Sequence, residues 1–324
     1  MKKIISILLV LVIALGALAL TGCKGKALKF GFGVYTSVSA TDATEEKAGE
    51  ANAAVTAAAV LLDKDGKIVK AAIDCADSTV GYTSEGKAQK AGEFKTKYEQ
   101  GADYGMKTYA GSAKEWYEQV DAFCELVVGK TADDLAGLVA ADYKGTEDVI
   151  NAGCTIYVSD FVKALEAAIE NATESEATKN STLKIGMSTN ATPTDATAEA
   201  LGSNNVETTV FAAALDEDGK VVAASADCVE ASFTFDLEGK SKFDTKDAVL
   251  SKRQKGDNYG MKEYAGSAKE WYEQADAFCQ SCLGKTVSEI EALMGSDGKG
   301  NADIQAAGCT IYVSGFVKAA SKIG

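Results

Sequence analysis

The chain has 324 residues, 46% of them hydrophobic and 25% charged, which is a globular composition long enough for about two domains. Lys and Arg number 33 against 47 Asp and Glu, and the resulting net charge of −14 repels phosphate backbones, which argues against nucleic acid as a partner. There is no histidine, so Ser-His-Asp and Cys-His catalysis, His-ligated zinc and His-ligated haem are excluded.

The N-terminus opens with Lys2 and Lys3. Ile4–Leu20 follows, apolar apart from Ser6 and Gly16, and the run ends Leu20-Thr21-Gly22-Cys23. A charged start, a short apolar stretch and small residues before a cysteine have the order of a secretory signal. The run is somewhat short for a membrane-spanning helix. Its end resembles the bacterial lipobox, whose cysteine is lipidated and becomes the mature N-terminus. That resemblance implies a signal peptide over 1–22 and a lipidated tether over 23–27. Cys23 would join the protein to membrane lipid and place it outside the cytoplasm of a bacterium. The alternative is a plain signal anchor with an incidental cysteine.

The remainder is one unit written twice. Tyr104–Cys124 reads YGMKTYAGSAKEWYEQVDAFC and Tyr259–Cys279 reads YGMKEYAGSAKEWYEQADAFC, with two differences in 21 positions. GCTIYVSDFVKA at Gly153–Ala164 returns as GCTIYVSGFVKA at Gly308–Ala319. Both blocks are offset by 155 residues, whereas Asp42-Ala43-Thr44 and Asp74-Cys75 recur at an offset of 153 as Asp195-Ala196-Thr197 and Asp227-Cys228. The repeats span 28–171 and 183–324, with a polar linker over 172–182. Each is long enough to bury a core, so the expectation is a tandem pair of homologous domains that fold separately.

Within each repeat the strand signals come first. Ala53–Leu62 and Ile68–Asp74 flank Asp63-Lys64-Asp65-Gly66-Lys67, and Thr208–Leu215 and Val221–Asp227 flank Asp216-Glu217-Asp218-Gly219-Lys220. Asp-Gly between apolar runs is a hairpin signal. Leu28–Tyr35 and Leu183–Met187 add a further strand. The helical part follows. Ser112/Glu115, Ser267/Glu270, Thr131/Asp134 and Thr286/Glu289 have capping-box spacing. Trp116, Val120, Phe123 and Val127 share one helix face, and Gly129 and Gly284 stand where that helix stops. A last helix starts near Ser159 and Ser314, burying Phe161 and Leu165, or Phe316 and Ala320. The class is α+β, an antiparallel hairpin-based sheet with packed helices, twice.

The cysteines keep their places. Cys75, Cys124 and Cys154 match Cys228, Cys279 and Cys309, while Cys282 matches Val127 and so reads as a core filler. Buried free thiols fit these positions; Cys124–Cys154 and Cys279–Cys309 disulfides are the alternative. No metal-ligand spacing recurs.

Two segments carry candidate chemistry. One closes each repeat: Asp148, then Gly153-Cys154-Thr155, and Asp303, then Gly308-Cys309-Thr310. A glycine and a threonine ahead of a helix leave backbone N–H groups to meet an anion, or else simply begin a helix. The hairpin and this segment resemble the small FMN-binding domains of bacterial electron-transfer lipoproteins, which end in Asp-x-x-Ser/Thr-Gly-Ala-Thr and can carry FMN on the last Thr through a phosphoester. Ala-Gly-Cys-Thr stands here instead. The resemblance implies FMN as cofactor, Thr155 and Thr310 as its attachment points, and Gly153, Gly308, Asp148 and Asp303 around them. The second segment, with Tyr104 and Tyr259, offers aromatic faces suited to a flat ring, or else a packed core. Together these give a membrane-anchored electron carrier with a flavin or a redox partner. The alternative is a surface lipoprotein that binds a small ligand or a protein without a cofactor. Without histidine or a recurring carboxylate pair the chain is not expected to be an enzyme.

Overall fold

The computed structural model describes residues 26–246 and 248–323; Cys23 and the expected signal peptide over 1–22 lie outside the described residues. Each repeat begins as an antiparallel meander. In the first, β1 (Lys29–Thr41), β2 (Gly49–Leu62) and β3 (Ile68–Tyr82) pair in turn. The β2–β3 turn forms because the Asp63 carboxylate accepts the N–H groups of Asp65 and Lys67 at 2.8 and 3.0 Å, and Gly66 takes φ 76°. Asp216 and Gly219 repeat it in the second.

The strands outrun the apolar stretches that announced them. Residues 49–54 of β2 alternate between buried and accessible positions, whereas 55–62 are buried throughout. The first stretch has one covered face and the second has two, so only the second reads as a continuous apolar run.

The helices of the first repeat are α1 (Lys97–Gln100), α2 (Met106–Ala110), α3 (Trp116–Leu126), α4 (Ala132–Leu135), α5 (Glu147–Ala152) and α6 (Ser159–Glu170). The linker contributes β4 (Thr173–Glu174), which pairs with Lys29 and Phe30 and gives the order β3-β2-β1-β4. The second repeat has β5 (Thr182–Thr194), β6 (Gly202–Leu215) and β7 (Val221–Phe235) in that order. Its helices are α7 (Lys252–Lys255), α8 (Met261–Ala265), α9 (Trp271–Cys282), α10 (Val287–Glu291), α11 (Ala302–Ala306) and α12 (Ser314–Ala320).

Helices cover one face of each sheet. Trp116, Phe123, Phe161 and Leu165 pack on β2 and β3, and Trp271, Phe278 and Phe316 repeat the arrangement. Helix α6 lies directly on β1 because Gly31 and Gly33 allow it: a Cβ there would stand 2.0 Å from Ala168 O or 2.4 Å from Ala168 N. Gly186 does the same beneath Ala319.

The other two sheet faces meet each other, which the repeat pattern did not foretell. Phe30, Phe32, Val34 and Val55 share one cluster with Met187, Val210, Ala212 and Val229. Tyr82 stacks on Phe235 at 4.4 Å, nearly parallel. The recurring Asp-Ala-Thr turns are reciprocal clasps. Asp42 accepts Ser241 N–H and Asp195 accepts Ala88 N–H, both at 2.9 Å. Ala43 and Ala196 donate to Gly239 O and Gly86 O, both at 2.8 Å. The layers run helix, sheet, sheet, helix. Each repeat has its own sheet-helix core, but the inner core belongs to both.

Candidate functional site

The two near-identical blocks of each repeat come together on one buried glutamine. Gln119, on α3, accepts both the N–H and the hydroxyl of Thr155, at 2.8 and 3.0 Å, and its amide donates to Ser112 Oγ and Lys114 O, both at 3.1 Å. Gln274 makes the same four bonds to Thr310, Ser267 and Lys269. A buried amide with every group satisfied fixes the turn against the helix.

This use of Ser112 corrects the expected capping box. The N-cap of α3 is Glu115, boxed with Glu118, and of α9 it is Glu270 with Glu273. The buried Glu115 carboxylate also accepts Met106 N–H at 3.0 Å, and Glu270 accepts Met261 N–H at 2.9 Å. One carboxylate thereby holds the starts of two helices, where a serine hydroxyl reaches only one. The Thr131/Asp134 and Thr286/Glu289 boxes form as expected.

Thr155 and Thr310 are exposed, but the local donors that a phosphate would need are taken. Gly153 N–H goes to Ile150 O, Cys154 N–H to Val149 O and Thr155 N–H to Gln119. Gly308, Cys309 and Thr310 do likewise with Gln305, Ile304 and Gln274. Lys114 stands over Gly153 and Lys269 over Gly308. Asp148 and Asp303 are exposed in the first turns of α5 and α11. The residues present therefore form a closed turn beside one lysine, not a seat for a flavin phosphate.

Tyr104 and Tyr259 belong to a different cluster. Lys97 Nζ lies 5.3 Å from the Tyr104 ring centre, 5.6 Å from that of Trp116 and 2.9 Å from Asp77 Oδ2. Lys252 lies 5.4 Å from Tyr259, 5.6 Å from Trp271 and 2.9 Å from Glu230 Oε1. Burial disfavours both ammonium groups, but neighbouring acidic groups outweigh it and hold both above the usual lysine range. These are cations boxed by aromatic rings, with Cys75 and Cys228 close by. Nothing in the motifs named the lysines. The available signal was that Lys97 and Lys252 keep the 155-residue offset while the residue beside them changes from Tyr98 to Arg253.

All seven described cysteines are free and buried. Burial pushes Cys75, Cys228 and Cys282 up to about 12 and Cys154 and Cys309 up to about 11. At neutral pH these are protonated thiols, without the thiolate that redox exchange requires.

Two surface hollows lie away from the threonine turns. A groove of about 1110 Å³ runs between β1–β4 and β7, lined by Phe30 and Phe32, by Lys220 and Arg253, and by the carboxylates of Glu174, Glu176, Asp216 and Asp276. A crevice of about 550 Å³ lies at the edge strand β5, between the Lys90–Phe94 loop and the end of α12.

No family model matches the chain, and no solved structure matches it significantly. Over 118 residues it is 36% identical to a chlorophenol reductase of Desulfitobacterium hafniense, a match that takes in 33% of this chain. The chain thus spans little more than a third, 36%, of the length of that relative. The likeness gives a hint of a redox role. It also overturns the expectation that the chain is not an enzyme, because the relative is named as one.

Proposed function

We propose that the chain is an extracytoplasmic, lipid-anchored redox protein that acts in a reductase reaction. The observation that carries this reading is the 36% identity to a named reductase. Among the described residues the thiols are buried and held above the usual thiol range, which favours a bound group as the carrier of the electrons. We assign such a group to the groove between the two sheets. Its lining combines Phe30 and Phe32 with Arg253, whose guanidinium is held by Asp276 at 2.7 Å, and with Lys220, Glu174, Glu176 and Asp216. A flavin such as FMN is the cofactor class we assign to it; when bound, it supplies one- and two-electron transfer. The relative's name suggests a chlorinated phenol as the electron acceptor.

The test is a titration of the full chain with FMN, followed by quenching of flavin fluorescence. We expect one equivalent to bind, and Ser225→Arg, which fills the groove, to weaken binding at least about tenfold. Flavin that stays attached after denaturation, and is lost in Thr155→Ala and Thr310→Ala, would move the cofactor to the threonine turns. Absence of any flavin binding would sink the redox reading.

A further inference from the structure

The repeats differ at the N-terminal end of their last helix. In the first, Lys163 on α6 donates to the Tyr35 hydroxyl at 2.9 Å, with its Nζ 4.1 Å from the ring centre. Asp160 stands 3.8 Å from the same ammonium as a counter-charge. Strand register makes Ser188 the counterpart of Tyr35, since Tyr35 lies opposite Thr56 and Ser188 opposite Thr209. Helix register makes Lys318 the counterpart of Lys163, since Gly33 packs beneath Ala164 and Gly186 beneath Ala319. The counterpart of Asp160 is Gly315. The second repeat therefore keeps the cation and lacks both of its partners.

The crevice at β5 opens at this position. Ser188 and Lys318 line it, together with Phe94, Lys90, Lys322 and Glu93. Lys322 is tied to Glu99 at 2.8 Å. Among the described residues no hydrogen bond or ion pair engages the ammonium of Lys90 or of Lys318.

We propose that this crevice binds a phenol, in the place that the Tyr35 side chain fills in the first repeat. The ring lies against Phe94, and the hydroxyl or phenolate oxygen takes a hydrogen bond from Lys318 Nζ, as Tyr35 takes one from Lys163. A charged donor makes that bond strong, and the same ammonium reaches the ring face. Lys90, whose ammonium is also unengaged among the described residues, adds a second cation and favours the phenolate. Glu93, also in the lining, disfavours ligands with a second negative charge. The proposal does not depend on the redox reading, because binding is read without turnover and away from the flavin groove.

The probe is 4-nitrophenol, titrated calorimetrically into the full chain. One equivalent is expected to bind. Lys318→Met should weaken it at least about tenfold, and nitrobenzene, which lacks the hydroxyl, should bind weaker by a similar factor. Ser188→Tyr should abolish binding with the thermal unfolding profile unchanged, because it installs the pair that the first repeat already uses. If that variant does not fold, Lys318→Met alone decides. Wild-type affinity in Lys318→Met or in folded Ser188→Tyr, or no binding to the wild type, overturns the proposal. So does benzoate bound as tightly as 4-nitrophenol, which would make the crevice a general anion site.

Discussion

Asp74 and Asp227 occupy the same place in the two repeats, on the strand beneath α1 and α7. Each is almost wholly buried, and each accepts the N–H of the following cysteine at 2.7 Å. Around Asp74 the further donors are the Tyr98 N–H at 3.2 Å and the Thr96 hydroxyl, all uncharged, and Glu99 adds a like charge. Around Asp227 the residue equivalent to Tyr98 is Arg253, which donates its own N–H at 3.1 Å and bonds Asp276 through its guanidinium. Burial raises both carboxyl groups. With no cation to oppose it, Asp74 reaches about 7, whereas Ser251 and Arg253 pull against burial at Asp227. The two repeats thus hold the same buried acid among different neighbours, uncharged donors around Asp74 and an arginine beside Asp227, so Asp74 is the more readily protonated of the two.

The largest effect comes from parting the two repeats. Phe30, Phe32, Val34, Met187, Val210 and Val229 lie between the sheets, so either half alone exposes a continuous apolar face. Residues 28–171 and 183–324 expressed separately should aggregate or lack a cooperative unfolding transition, while co-expression should yield a soluble pair that elutes together. Two soluble halves with cooperative unfolding would show that the outer sheet-helix cores suffice.

The next effect is electrostatic. A carboxyl whose folded pKa is raised binds a proton on folding, so its contribution to stability is full below its unfolded pKa near 4 and lost as pH rises through about 7. For Asp74 the loss is on the order of 4 kcal/mol across that window, taking about 1.4 kcal/mol per pKa unit. Urea unfolding at pH 5 and pH 8 should show the protein less stable at pH 8. Asp74→Asn should remove most of that difference. Tyr98→Arg, which carries the second repeat's solution into the first, should reduce it, and Asp227→Asn should change it less than Asp74→Asn does. Equal pH slopes in wild type and Asp74→Asn would mean that the buried acid stays ionised.

Much of the fold was legible because its signals are local. The Asp-Gly turns are made by a side chain and a glycine within five residues, and the Thr131 and Thr286 caps reach only three residues along. The long-range pieces were not. Asp42-Ala43-Thr44 stood out as a repeated marker, but its partners, Gly239 and Ser241, are about 200 residues away, and no short window relates them. At the candidate site, Thr155 and Thr310 were found as turn residues, and their exposure fits that. Local sequence leaves their N–H groups without an acceptor, because that acceptor, Gln119 or Gln274, lies 36 residues earlier in the other block. The same distance hid that the two blocks meet: each supplies half of one buried hydrogen-bond unit.

The smallest effect concerns the one cysteine without a counterpart. Cys282 is fully buried beside Phe278, and its thiol donates to Phe278 O at 3.3 Å, closing back along the helix. Val127 fills the equivalent place in the first repeat and is equally buried. A thiol is a weak donor, and valine is larger than cysteine by only about one methyl group, which the matching site in the first repeat already accommodates, so the exchange changes little. Cys282→Val should change unfolding stability by less than about 1 kcal/mol, and Val127→Cys should be tolerated in the same way. Thiol titration of the native protein should find none of these buried cysteines reactive until it is unfolded, since burial holds every one of them above the usual thiol pKa. A loss of several kcal/mol, or rapid labelling of Cys279 or Cys282 in the native state, would mark this Cys-x-x-Cys pair as different in kind from the valine site it otherwise matches.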